Sequence, residues 1–272
     1  MSALPQKRSF RPGQPNGCFA PIADIRSHPY YGDQVTAYFA IFVVQIFPHI
    51  MYHRYDARMR QDHNRILTTA ARASLPRLGF WQKGRSRVWL ADRGFWLSVV
   101  EFQPSGFGKG SYLNVAAHWL WSHTPNSLSF DYTIMSGKPW IPFENVAQFE
   151  TGVAELVERA VEESKALKSK IIDVQAVASL LVEHHDTYDS AGCAGGWPAF
   201  NAAVAAGVVG DMANARSLFD KANESIGAWR ADMQALIIPY GDALRDAATF
   251  ETFITQRINA NRTAWGLDPW LT

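Results

Sequence analysis

The stretch RVWLADRGFWLSVVEFQ, residues 87–103, decides how this chain is read. Arg87 to Ala91 and Phe95 to Gln103 are rich in aromatic and β-branched residues, which suit a pleated surface. Between them, Asp92-Arg93-Gly94 has the residue types of a tight turn. Strands joined by so short a link pair antiparallel. Beyond a loop at Pro104 to Gly110, Tyr112 to Trp121 continues the pattern. After a turn at Thr124-Pro125-Asn126, Leu128 to Met135 is expected as the next strand. Upstream, Met59, Ile66, Leu67, Ala70 and Ala71 share one face of a helix expected over Asp56–Ser74. Pro76 ends that helix, and Leu78-Gly79-Phe80 turns the chain into the sheet. Downstream of Pro139 and Pro142, Phe143 to Lys168 carries an apolar stripe (Val146, Phe149, Val153, Leu156, Val157, Ala160, Val161) opposite a solvated acidic side. The expected class is α+β: an antiparallel β-meander packed by helices over 56–168, followed by an α-helical region over 171–272.

Within the first unit, Leu78-Gly79-Phe80, Lys83-Gly84-Arg85, Trp89, the strand ending Phe102-Gln103-Pro104-Ser105, and Tyr112-Leu113-Asn114-Val115 occur in order. In these elements the chain resembles bacterial domain-of-unknown-function family 4304 over roughly residues 57–165. The resemblance implies an α+β domain without an assigned activity, some of whose relatives are suspected of interaction or toxin-immunity-like roles. It carries over no catalytic residue. The chain departs from the pattern at Pro104 and in its long C-terminal extension.

In that extension, helices are expected over Ile171–His184, Pro198–Val209, Met212–Ile226 and Asp242–Asn259. Ala203, Gly210-Asp211, Ala215, Phe219 and Ala222 make the hairpin 198–226 resemble a single tetratricopeptide-type repeat. Small residues at Ala203 and Ala215 let two helix backbones approach. A lone repeat cannot bury its own faces, so packing on neighbouring helices is expected before any peptide-binding role. Trp265 and Trp270 are expected to tie down the tail.

The composition is ordinary for a folded chain of 272 residues, with 47% hydrophobic and 19% charged. A net charge of +1 gives no global bias toward nucleic acid. Two distant cysteines, Cys18 and Cys193, support neither a disulfide framework nor a zinc pattern, so a reducing, cytoplasmic setting is expected. Residues 1–50 are rich in Pro and Gly and are expected to be a poorly structured extension. The leader resembles translated intergenic repeats found before other bacterial reading frames; if it is one, the expected start is Met51 or Met59, and the alternative is a genuine but mobile arm. The uncharged run within Gln34–Tyr52 is interrupted by Gln45, Pro48 and His49, and no membrane span is expected.

Chemistry is harder to find. The loop Ser105-Gly-Phe-Gly-Lys-Gly-Ser111 departs from the Walker pattern at both ends and leads into a strand. A metal site is not expected: neighbouring His184 and His185 point about 100° apart on a helix, His118 and His123 flank two tryptophans, and HExxH is absent. GxSxG is absent too, and Ser105 can act as a nucleophile only if a histidine reaches it in space. Two clusters remain. Gln103, Ser105, Lys109, Tyr112 and Asn114, on two adjoining strands and their loop, can line a small ligand pocket or else satisfy backbone groups at the sheet edge. Lys83, Arg85 and Arg87, interleaved with Trp81 and Trp89, can bind single-stranded nucleic acid. Their shared odd parity mixes the two faces of a continuous strand, although Gly84 can break the phase.

The expectation is a non-enzymatic binding or interaction protein whose partner is another protein, with no cofactor. Nucleic-acid binding through strands 81–96 is the alternative. A hydrolase using Ser105 or a histidine cluster ranks below both.

Overall fold

The computed structural model describes residues 49–105, 109–122, 127–134, 139–190 and 196–270. The expectations for residues 1–48, for the loop centre 106–108, and for His123, Cys18 and Cys193 lie outside the described residues.

Helix α1 (His49–Ser74) buries Ile66, Leu67 and Ala71 and ends at Ser74, two residues before Pro76, as expected. A 3-10 turn over Leu75–Leu78 tightens its exit, and Gly79 (φ 82°) donates its N–H to Leu75 and Pro76 carbonyls. A left-handed residue just past a helix favours glycine, because a Cβ there meets the backbone.

Five antiparallel strands follow in sheet order β1–β5: β1 (Trp81–Gln82), β2 (Val88–Asp92), β3 (Trp96–Pro104), β4 (Gly110–Trp119) and β5 (Trp140–Pro142). The β3–β4 ladder runs from Trp96 opposite Trp119 to Pro104 opposite Ser111. The turn into β3 is held by Gly94 (φ 82°) and by the Asp92 carboxylate accepting the Gly94 N–H at 2.9 Å.

The expected strand Leu128–Met135 is corrected. Its described part makes a single bridge, Tyr132 with Ala117. Asp131 ends the pairing there, because its carboxylate, not a backbone carbonyl, accepts the Trp119 N–H at 2.8 Å. The other half of the β4 edge goes to Trp140–Pro142, with the Leu113 N–H donating to the Pro139 carbonyl at 3.0 Å.

Helix α2 (Val146–Lys170) is capped by Asn145, whose side chain accepts the Gln148 N–H. Its buried stripe contains five of the seven residues expected, Phe149, Val153, Leu156, Val157 and Ala160. Helix α2 covers the inner face of the sheet, where Trp89, Trp96, Val100, Phe102, Leu113 and Val115 are buried, and α1 packs on α2.

Five further helices follow among the described residues: α3 (Val174–Ser190), α4 (Gly196–Val208), α5 (Met212–Trp229), α6 (Ala231–Ala243) and α7 (Ala247–Ala264). α4 and α5 form the expected hairpin, with Gly210 left-handed (φ 83°) and Asp211 capping Asn214. α4 is buried on almost every side, so it is the centre of the helical part. Phe219 reaches α6, where Gly241 makes room: a Cβ there would lie 2.4 Å from the Phe219 ring. Helix α6 was not among the expected helices, and it carries Pro239 and Gly241, which disfavour a helix locally.

One buried apolar cluster runs through both the sheet unit and the helical unit. Side chains from three helices bind the end of β4. The Trp121 indole donates to Asn201 Oδ1 at 3.2 Å, and the Tyr240 hydroxyl donates to the Trp121 carbonyl at 2.6 Å. Asn261 Nδ2 donates to the Leu120 and Ser122 carbonyls at 2.7 and 2.9 Å. No helix among the described residues is long and apolar enough to cross a membrane.

Candidate functional site

Alternation assigns Leu97, Val99, Glu101 and Gln103 of β3 to the outer face of the sheet, opposite His118, Ala116, Asn114 and Tyr112 of β4. The first half of this face is covered. Trp265, just after α7, packs edge-on against His118 at 6.2 Å, and Leu90, Leu97, Val99 and Ala116 are fully buried. The second half is not: Val88, Glu101, Gln103, Tyr112 and Asn114 are all half-buried.

Asn114 organises the open half. Its Nδ2 donates to Glu101 Oε2 at 2.9 Å and to Gln103 Oε1 at 3.0 Å. Both bonds use the same amide nitrogen, which fixes how the two amides point. Asn114 Oδ1, an acceptor, and Gln103 Nε2, a donor, make no hydrogen bond among the described residues. Beside them Tyr112 contacts Trp140, ring centroids 6.3 Å apart and planes inclined by 37°. Trp140 is 45% exposed. Its indole lies over Gly110, where a Cβ would stand 2.6 Å from Trp140 Nε1. The missing side chain at Gly110 therefore seats the ring at the edge of the face.

Of the five residues expected to bind a ligand, Gln103, Tyr112 and Asn114 are brought together. Ser105 and Lys109 lie at the hairpin end. The Ser105 N–H donates to the Gly110 carbonyl at 3.2 Å, and the Lys109 carbonyl accepts the Phe143 N–H at 2.8 Å. Sequence reasoning missed Glu101 and Trp140. The signal for Glu101 was its place two residues before Gln103. Trp140, lying between Pro139 and Ile141-Pro142, gave none until its pairing with Tyr112 was seen.

The basic, Trp-rich set does not form one surface. Arg87 turns inward to α1, where Nε donates to Asn64 Oδ1 at 2.6 Å and Nη2 lies 3.1 Å from His63 Nδ1. Trp89 is only 3% exposed, so its ring offers no face to a base. Trp81 and Lys83 belong to the outer side, where Lys83 Nζ stands 4.6 Å over the Trp265 ring. Arg85 is exposed in the intervening turn.

Histidine chemistry is equally dispersed. His118 is 1% exposed, and its Nδ1 alone faces both Ser129 Oγ at 2.8 Å and Asp131 Oδ2 at 3.3 Å. A serine–histidine–carboxylate relay needs its two partners on opposite ring nitrogens. His184 packs against Tyr132, while His185 is buried. Burial, and then the neighbouring His185, lower the His184 pKa. Among the described residues, no three His, Cys, Asp or Glu side chains are placed to hold a metal ion. No family model, curated protein or solved structure matches the chain.

Proposed function

We propose that this chain is a non-enzymatic binding protein, and that it binds through the open half of the outer sheet face. One observation carries the reading: on the half-buried part of the face Asn114 holds the Glu101 and Gln103 side chains, and the neighbouring Tyr112 meets an exposed Trp140. A rigid strand pair carrying oriented amides and an aromatic ring is pre-organised, so little rotamer entropy is lost when a ligand is met. Catalysis finds less support, since His118, which lies near both a serine and a carboxylate, meets them through a single nitrogen and is sealed from solvent.

The test is recovery of bound material. The tagged full chain and a Trp140→Ala/Asn114→Ala variant are isolated in parallel from the cells that naturally make the protein. Mass spectrometry of everything released should find a ligand with the native chain that falls at least about tenfold with the variant. Equal recovery from both would remove this face as the binding surface.

A further inference from the structure

We infer that the opposite edge of the sheet, along β1, is a second binding surface, and that it takes a nucleic-acid duplex by its phosphate backbone. The sheet order puts β1 at one edge and β5, with Trp140, at the other, so this surface is independent of the one proposed above. Three observations point the same way.

The first is a local excess of charge. The chain as a whole carries +1, yet residues 72–93 hold six cations (Arg72, Arg77, Lys83, Arg85, Arg87 and Arg93) and one acid, Asp92. The Asp92 carboxylate is already taken by Arg262, each oxygen at 2.7 Å. Among the described residues, none of Arg72, Arg77, Lys83 and Arg85 pairs with a carboxylate. All four are exposed. Glu101 stands on β3, two strands in from this edge.

The second is placement. Arg87 turns inward, but the other five are held along β1. Arg93 Nη2 donates to the Leu78 carbonyl at 2.8 Å, which keeps this guanidinium at the start of the strand, by Arg77. Arg72 Nη2 donates to Gln82 Oε1 at 2.9 Å, and Gln82 Nε2 donates to the Ser86 carbonyl at 2.7 Å. That relay ties Arg72 to the β1–β2 turn, which carries Arg85 and begins at Lys83. From Gly79, where a Cβ would stand 3.7 Å from Arg93 Nη1, to Lys83 the extended chain covers about 13 Å. Phosphates of one duplex strand recur about every 3.4 Å of axis, so the row faces about four of them.

The third is the kind of side chain. The exposed large apolar residues among those described, Trp140, Val146, Ile172, Leu236 and Ile238, all lie outside 72–93. A protein partner wants an apolar or aromatic interface core, and a membrane surface wants apolar side chains that enter it. Trp89 is buried and Trp81 half-buried, so unpaired bases find no open ring to stack on. What remains is contact by charge, and four of the five edge cations are arginines, whose planar fork meets two phosphate oxygens at once. A duplex presents its backbone with the bases stacked inside, so binding here is indifferent to base sequence.

Fluorescence anisotropy of labelled DNA and RNA duplexes of about 20 base pairs, titrated with the full chain, tests the inference. At least one duplex should bind, and its affinity should fall on the order of 100-fold between about 50 and 200 mM NaCl. A duplex of unrelated sequence should bind alike. Arg77→Gln/Arg85→Gln should weaken binding about tenfold or more and make the log–log salt slope shallower by about 1.8. Thermal melting establishes that the variant is folded, and Lys83→Gln/Arg85→Gln replaces it if it is not. Trp140→Ala should bind duplex as the native chain does. Binding to neither duplex, or a salt slope that the double variant leaves unchanged, overturns the inference. So does tighter binding of oligothymidylate than of duplex, or binding to phosphatidylserine vesicles in place of duplex. Loss of duplex binding in Trp140→Ala alone would move the nucleic acid to the outer face and overturn the assignment to β1, while leaving that face standing as a binding surface.

Discussion

Arg262, on the last helix, grips Asp92, at the end of β2, with both terminal nitrogens: Nη1 to Oδ1 and Nη2 to Oδ2, each 2.7 Å. Arg262 is 5% exposed, and its remaining donors reach the Gly94 and Asp268 carbonyls. The guanidinium thus joins the β2–β3 turn, α7 and the tail that covers half of the outer sheet face. Its planar fork suits this geometry, and a lysine ammonium cannot reproduce it.

Arg262→Met should therefore destabilise the protein by about 2–4 kcal/mol in urea unfolding, and Arg262→Lys should recover less than half of that. Burial pushes the Asp92 carboxyl up, but its bonds with Arg262 and Gly94 outweigh burial and hold it below its ordinary 3.8. A depressed carboxylate stabilises the fold above its unfolded value and ceases to do so as pH falls through the folded one. The difference between native and Arg262→Met should accordingly narrow below pH 3.8.

The carbonyls at the end of β4 are taken by Tyr240 and Asn261, from α6 and α7. Tyr240 is fully buried, and burial raises its hydroxyl well above the ordinary value, so it acts as a donor at all working pH. Tyr240→Phe should cost about 1–2 kcal/mol and Asn261→Ala about 2–3 kcal/mol, because the first takes the hydroxyl donor from the Trp121 carbonyl and the second the amide donor from the Leu120 carbonyl, both in buried residues. Tryptophan fluorescence is weighted toward the sheet unit, which holds six of the ten tryptophans, and far-UV circular dichroism toward the helical unit, which holds five of the seven described α-helices. The two should report one coincident urea transition in the native chain. Separate midpoints would mean that the sheet unit and the helical unit unfold independently.

His63 of α1 lies between the Arg87 guanidinium and the rings of Phe143 and Phe149, the latter at 4.3 Å. Burial first, and then the Arg87 charge, lower its pKa from 6.5 to about 4. The folded state therefore holds the neutral ring where the unfolded chain takes up a proton. Stability should be undiminished above pH 6.5 and should decline as pH falls from there to about 4. Allowing for solvent screening of a half-exposed ring, the loss is of the order of 1–2 kcal/mol. His63→Phe should flatten this part of the pH–stability curve, measured by urea midpoints between pH 7 and 4.

Alternation within 87–103 was enough to give β2, β3 and their turn, because a strand's faces are written in its own residues. The long helix of 146–170 was legible for the same reason, at helical spacing. What failed was non-local. Pro239 sits within α6 and Trp140 forms β5 between prolines, because contacts such as Gly241 against Phe219 outweigh local preference. Gln103, Tyr112 and Asn114 were readable as a cluster from two adjoining strands. That their half of the face is open depends on where Trp265 lands, about 150 residues further on, and no local pattern contains that.

The seat of Trp140 supplies the last prediction. At Gly110 an added Cβ would lie 2.4 Å from the Ile141 carbonyl oxygen and 2.6 Å from Trp140 Nε1. The indole can swing aside, but the carbonyl belongs to β5 and can move only if the strand lifts from β4. Gly110→Ala should therefore destabilise the chain by about 1–3 kcal/mol, the range for overpacking a tight site. In fluorotryptophan-labelled protein, the fluorine resonance of Trp140, assigned with Trp140→Phe, should move while those of Trp96 and Trp119 stay in place. Any ligand that needs the indole beside Tyr112 should bind Gly110→Ala about as weakly as Trp140→Ala. If the alanine variant keeps both the resonance and full stability, the indole is not seated on Gly110, and the aromatic edge of the open half is lost with it.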